Sequence, residues 1–189
     1  MLGEKLLEML KETGAYLEGH FLLSSGLHSS HYLQCAMLLR YPRYAAFVGE
    51  EIGKLVMAFD PEVVVSPALG GIIVGHEVAR FLDVPFLFCE REGGVFKLRR
   101  FPYPKGKRAL VVEDVITTGG SSSEVGSLIE KEGGVWVHTA CIIDRSGGKH
   151  SLPHEPTSLL KLELPVFKPE DCPLCKKGIP IYKPGSRPL

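Results

Sequence analysis

Between residues 62 and 143 four apolar runs, VVVS, PFLFC, ALVV and VWVHTACII, alternate with two stretches of helical periodicity at 72–82 and 121–132. Runs that are apolar at consecutive positions fit strands buried on both faces, and the intervening helices supply the cover. The pattern predicts an α/β fold with a central parallel sheet flanked by helices. In such sheets ligands sit beyond the carboxyl ends of the strands, so chemistry is sought in the residues that follow each run. Three of those places are unusual: SPALGG after Val65, EDVITTGGS after Val112 and DRSGG after Ile143.

The flanks read differently. Leu2, Leu6, Leu7, Met9 and Leu10 form an amphipathic first helix that stops before Gly14. Residues 21–23 and 31–33 read as short strands around the turn-rich SSGLHSS, and 42–59 as a helix with Pro42 near its start. From Ser151 onward Pro is frequent and SLLKLEL is the one strand-like run, which suggests an appendage to the same domain. A chain of 189 residues, 44% hydrophobic, supports one core of ordinary size. Its 22 basic and 22 acidic residues give no global reason to expect a nucleic acid or an anionic membrane as partner. Every apolar stretch falls short of the roughly 20 residues of a membrane span. The opening MLGEKLLEMLKETG lacks an export pattern, so the expected location is the cytoplasm. Five cysteines, an odd number with three in apolar segments, point to reduced thiols.

The segment ALVVEDVITTGGSSS, residues 109–123, carries the most chemistry. A buried strand runs into adjacent Glu113 and Asp114, then into small and hydroxylated residues that open a helix near Ser122. Gly119 and Gly120 let backbone N–H groups converge on an anion, Thr117, Thr118 and Ser121 add hydroxyls, and the helix directs its positive end at the same point. A phosphate monoester fits there. Ser121 with Glu124 also forms an S-x-x-E capping pattern, which accounts for Ser121 alone. The paired acids would repel each other without donors or a cation beside them, and sugar hydroxyls or hydrated Mg²⁺ meet that need. Neither a Walker A loop nor a dinucleotide fingerprint is present, which disfavours kinases and NAD enzymes.

VVEDVITTGGS resembles the 5-phosphoribosyl 1-pyrophosphate (PRPP) motif of the type I phosphoribosyltransferases. The resemblance implies a PRPP site built from Glu113, Asp114, Val115, Ile116, Thr117, Thr118, Gly119, Gly120 and Ser121. In it the two acids hold the ribose hydroxyls and residues 117–121 wrap the 5-phosphate. It also implies one domain over 1–189, with a core of roughly 42–148 and a small hood from 1–41 and 149–189.

Four further segments are similar to orotate phosphoribosyltransferases. FLLSSGLHSSHYLQ matches at Phe21, Ser25, Gly26, Ser29 and Tyr32, with Ser24 where many relatives carry Lys. Backbone around 24–26, or His28, is the expected substitute, and a solvated turn is the alternative for His28. SPALGGIIVGHEVAR matches the pyrophosphate loop, with Gly70 and Gly71 allowing close backbone approach and Gly70 standing where several members have Lys. EREGGVFKLRR looks like the mobile loop that closes over pyrophosphate, with Arg91 as its leading Arg and Glu92 in place of the usual Lys. Lys97, Arg99 and Arg100 are the available replacements, a solvated hairpin being the rival reading. Asp144 and Arg145 match the D-R pair that binds the base, and a guanidinium suits the carboxylate of orotate.

The resemblance implies phosphoribosyl transfer from PRPP to orotate in pyrimidine synthesis, with Mg²⁺ bound through PRPP and Asp114 reached through water. It implies Glu113, Asp114, Arg91, Lys97 and Arg99 in catalysis, and Thr117, Arg145, Ser25 and Gly26 at orotate. A homodimer sharing the mobile loop is also implied. A purine or uracil phosphoribosyltransferase and a PRPP-sensing regulator are the rivals. Cys172 and Cys175 form half of a zinc site that His150 and His154 could complete, with a Cys-rich turn as the alternative.

Overall fold

The computed structural model describes residues 2–23 and 25–184, so the substitution at Ser24 lies outside the described residues. In chain order the elements are α1 (Leu2–Glu12), β1 (Tyr16–Leu22), β2 (His28–Leu33), α2 (Ala36–Leu39), α3 (Pro42–Val56), β3 (Val63–Pro67), α4 (Gly71–Leu82) and β4 (Phe86–Glu92). They continue with β5 (Val95–Lys97), β6 (Arg108–Ile116), α5 (Gly120–Lys131), β7 (Val135–Asp144), β8 (Thr157–Lys161), β9 (Val166–Phe167) and α6 (Pro173–Lys176). No helix among the described residues is long and apolar enough to cross a membrane.

The main sheet has strand order β5-β4-β3-β6-β7-β8. Only β5 runs antiparallel to its neighbour, because it is the return arm of a hairpin. Alternate residues of the central strands serve opposite cores, as the two-residue period of a strand requires. Val64, Leu110, Val112 and Ala140 join a cluster with α1, α3 and α4, whereas Val63, Val65, Ala109 and Val111 join one with Val125 and Ile129 of α5. With both faces covered, the strands show continuous apolar runs. Each such valine or leucine side chain, once buried, contributes about 2 kcal/mol.

β1 and β2 form an antiparallel hairpin longer than the two short strands expected from the sequence, and β9 pairs with β2 in a separate three-stranded sheet. The polar residues that obscured the strand pattern, Glu18, Gly19 and His20, sit where the register shifts between Glu18 and Phe21. Beyond residue 148 the main sheet continues, since β8 pairs parallel with β7. The tail returns to the hairpin: Tyr182 N–H donates to His20 O at 2.8 Å and Leu22 N–H donates to Tyr182 O at 2.9 Å.

Candidate active site

Strand order reverses at β3, which has β4 on one side and β6 on the other. The carboxyl ends of β3 and β6 therefore open a crevice between the loops that follow them. One wall is the turn from Pro67 to Gly71, which contains a cis Ala68–Leu69 peptide and places Gly70 against Asp114. A Cβ built on Gly70 would lie 2.5 Å from Asp114 Oδ1, and one on Gly71 would lie 2.8 Å from the Val112 carbonyl oxygen. Gly70 has φ −57°, so what requires glycine here is contact with the carboxylate, not the backbone conformation.

The other wall is the loop from Thr117 to Ser121. β6 ends at Ile116, Gly119 takes φ +74°, and α5 starts at Gly120, two residues before the expected Ser122. Glycine at 119 suits both the left-handed backbone and the packing, because a Cβ there would meet Leu152 Cγ at 2.9 Å. Ile116 is fully buried, and its carbonyl accepts the Arg145 N–H at 2.7 Å. Ile116 thus shapes the site through the core and its backbone, while half-buried Val115 pairs with Ile143 of β7.

The capping pattern at Ser121 and Glu124 is not realised. Neither of the two side chains caps α5; Glu124 instead accepts the Phe96 N–H at 2.8 Å and pairs with Arg91 Nη2 at 3.1 Å. The hydroxyl that matters locally is that of Ser122, fully buried, which donates to Glu113 Oε2. Burial pushes the Glu113 carboxyl up to about 7, with the charge on Asp114 adding to the rise while Ser122 and Arg91 oppose it. Burial raises Asp114 as well.

Beside this loop lies a cavity of about 600 Å³, lined by Ser25, Tyr32, Thr117, Thr118, Arg145, Ser146, Lys149 and Lys183 with several leucines. Among the described residues, none that lines it is acidic. The Arg145 guanidinium enters from the end of β7, and its buried Nε has no hydrogen-bond partner among the described residues. Among the described residues Arg145 and Asp144 form no ion pair; Asp144 Oδ1 accepts the Ser146 N–H at 2.8 Å and holds the turn. Burial lowers the Arg145 pKa, the mark of a cation short of a counter-charge. Gly26 turns the hairpin at φ +82°, which brings Ser25 to the cavity wall. Sequence reasoning missed Lys149 and Lys183: the first follows the DRSGG turn, a signal that could have been used, and the second sits in a Pro-rich tail with none.

His28 does not face this cavity as a substitute for a lysine. It is buried beside His20 and Cys175. Arg91, Lys97, Arg99 and Arg100 are likewise outside the cavity, on the hairpin of β4 and β5 that turns at Gly93 and Gly94. Arg91 lies over the Phe96 ring at 3.9 Å, Glu92 accepts Lys97 at 2.6 Å and Arg99 approaches it at 3.4 Å, and Glu90 accepts Arg100 at 2.8 Å. Phe96 and Leu98 are buried and anchor the hairpin in the core.

A loop of glycines and hydroxyls after β6, the paired acids at the end of that strand and a glycine turn facing them across the switch point are the features of a phosphoribosyl transferase domain. The sequence profile of that description matches residues 36–173. The chain belongs to the orotate phosphoribosyltransferase family. It is 57% identical over 185 residues to orotate phosphoribosyltransferase from Thermotoga petrophila, covering 96% of this chain and 98% of the relative. The crystal structure of the Aeropyrum pernix orotate phosphoribosyltransferase superposes with a TM-score of 0.71 at 28% identity, covering 84% and 94% of the two chains. That of the Mycobacterium tuberculosis enzyme in complex with inorganic phosphate gives 0.69 at 25%, covering 85% and 96%.

Proposed function

We propose that the protein transfers the phosphoribosyl group of PRPP to a ring nitrogen of orotate, giving orotidine 5-monophosphate and pyrophosphate for pyrimidine synthesis. The observation that carries the choice of base is Arg145, a half-buried guanidinium whose Nε has no partner, in a cavity lined by no acid, among the described residues. Orotate offers a planar carboxylate to that guanidinium, and purines and uracil offer none.

In this reading Thr117–Ser121 and the start of α5 hold the 5-phosphate, which sets the ribose over Glu113 and Asp114. Those carboxylates accept the ribose hydroxyls and stabilise positive charge at C1 as the bond to pyrophosphate breaks and the bond to nitrogen forms. Gly70 and Gly71 admit the pyrophosphate close to the backbone. Arg91, Lys97 and Arg99 exchange their present carboxylate partners for the leaving pyrophosphate when the hairpin closes. Ser25, Gly26, Thr117 and Arg145 hold orotate, and Lys149 and Lys183 add positive charge on the same wall.

Adjacent Glu113 and Asp114, both raised by burial, suit Mg²⁺ bound through PRPP with Asp114 reached through water. When bound, the ion supplies positive charge to the pyrophosphate and ribose oxygens. The hood from 1–41 and 149–189, with β8 given to the core, closes the base side. A homodimer with the hairpin shared across its interface, in the cytoplasm, completes the reading.

The test is pyrophosphate release from PRPP and Mg²⁺ with orotate, uracil, hypoxanthine, xanthine and adenine offered separately. Release with orotate alone is expected. Release with another base reassigns Arg145, and silence on all five with PRPP bound favours a regulator.

A further inference from the structure

The hood contains a second cluster, away from the cavity, that the transfer reaction does not use. His20, His28, Cys172 and Cys175 each turn one ligand atom inward, and the four atoms all lie within 4.8 Å of one another. His20 Nε2 is 3.0 Å from His28 Nδ1, 3.5 Å from Cys172 Sγ and 3.7 Å from Cys175 Sγ, and Cys175 Sγ is 3.3 Å from His28 Nδ1. Around zinc, with Zn–N of about 2.0–2.1 Å and Zn–S of about 2.3 Å, tetrahedral edges run from about 3.4 Å for N···N to about 3.8 Å for S···S. The observed separations fall close to that range. We propose that the protein holds a structural Zn²⁺ ion between His20, His28, Cys172 and Cys175.

The fold assembles these residues from three places in the chain: β1, β2 and the turn into α6. Leu22 pairs with His28 across the hairpin, and His20, in the register shift between Glu18 and Phe21, is buried with its Nε2 beside His28 Nδ1. Cys172 precedes α6 and Cys175 lies within it, so one short turn presents both sulfurs. His20 Nδ1 lies 2.7 Å from the Ile179 carbonyl, which can only accept. The ring proton therefore sits on Nδ1, and the Nε2 lone pair faces the sulfurs, as a metal-bound imidazole requires.

The donor set selects the ion. Two thiolates and two imidazoles suit zinc and are poor ligands for Mg²⁺, which prefers oxygen. Two thiolates also neutralise a divalent cation, so the site is neutral where His20, His28 and Cys172 are buried. Four protein ligands leave no open position, which makes the ion structural. The histidines named from the sequence are elsewhere: His150 lies 3.1 Å from Glu155 Oε2, and His154 stacks on His138 at 4.7 Å.

The consequence for the active site is geometric. His20 and His28 are on the two arms of the hairpin whose turn carries Ser25 and Gly26, and Tyr182 on the tethered tail precedes Lys183. The ion thus positions two walls of the base cavity without touching substrate.

The full-length protein, purified under thiol reductant and without a metal-affinity step, is assayed for zinc by elemental analysis. About one zinc per chain is expected, with the Cys175→Ser variant, altered at the exposed ligand, losing most of it. Replacement by Co²⁺ is expected to give the visible absorption of a tetrahedral sulfur-nitrogen site in the parent protein, changed in Cys175→Ser. Removal of zinc by a chelator is expected to lower Tm and raise KM for orotate more than KM for PRPP, with both recovering on adding Zn²⁺. The proposal is overturned if the reduced protein takes up no zinc from excess Zn²⁺, if Cys172→Ser/Cys175→Ser retains a full equivalent, or if the cobalt spectrum is octahedral. None of these metal readouts depends on which base is the substrate.

Discussion

Gly70 touches the site of Asp114: a Cβ at position 70 would lie 2.5 Å from Oδ1 and 2.8 Å from Cγ of that carboxylate. The contact joins the turn after β3 to the end of β6, the two strands that flank the switch point. It also accounts for the glycine, since a side chain here would need Asp114 to move. Gly70→Ala keeps the α-helical φ of −57° and is expected to fold normally. We expect its kcat/KM for PRPP to fall tenfold or more, about 1.4 kcal/mol or above of transition-state stabilisation. Steady-state kinetics with PRPP varied, together with Tm, checks this.

The Ser122 hydroxyl donates to Glu113, whose carboxyl burial raises from an ordinary 4.5 to about 7. Removing the donor in Ser122→Ala takes away a contact that favours the ionised form, so the Glu113 pKa is expected to rise further. The acidic limb of the kcat/KM profile for PRPP then moves to higher pH. Carboxyl NMR titration of the ligand-free protein reads the same shift directly.

A carboxyl that is more basic folded than unfolded stabilises the fold below the unfolded pKa and loses that contribution as pH rises through the folded one. For Glu113 the window is pH 4.5 to 7. Glu113→Gln is therefore expected to stabilise the ligand-free protein at pH 8 by up to about 3 kcal/mol relative to its effect at pH 4. Transfer activity falls in the same variant. Urea unfolding at the two pH values separates these effects.

Arg145 is the cation whose Nε lacks a partner. Arg145→Ala is expected to raise KM for orotate at least tenfold and leave PRPP binding within about twofold, as loss of a charge-assisted bond of roughly 1.5–3 kcal/mol would do. Arg145→Lys rescues little, because a point charge does not reproduce the planar pair. Equal loss of affinity for both substrates would remove the role assigned to this residue.

His138 lies flat on Phe59 at 3.8 Å, stacks on His154 and has Nε2 2.9 Å from Thr157 Oγ1. Burial, and then the neighbouring His154, lowers its pKa from 6.5 to about 4. A base made less basic by folding contributes stability that is complete above pH 6.5 and is lost as pH falls toward 4. His138→Gln cannot charge, so its Tm is expected to fall less between pH 7 and pH 4.5 than that of the parent protein. Thermal scans across that interval test it.

The sequence by itself determined the central sheet, the helices on its faces and the loop that ends β6. These follow from patterns a few residues long: apolar runs for strands buried on both sides, a 3.6-residue period for helices, and glycines with hydroxyls after a strand. The same locality made Arg145 visible, because it lies two residues past the apolar run of β7 and directly after the strand. Tertiary structure decided what depends on partners far apart in the chain. Glu124 reads locally as a helix cap but reaches Arg91 and Phe96 on a hairpin that only sheet pairing brings near. Lys149 and Lys183 gained their places when the β7 turn and the tail met across one cavity. The cysteine pair read as half of a zinc site with His150 and His154 as candidates, but the histidines beside it are His20 and His28, since Cys172 meets His20 across 152 positions and only the returning tail closes that distance.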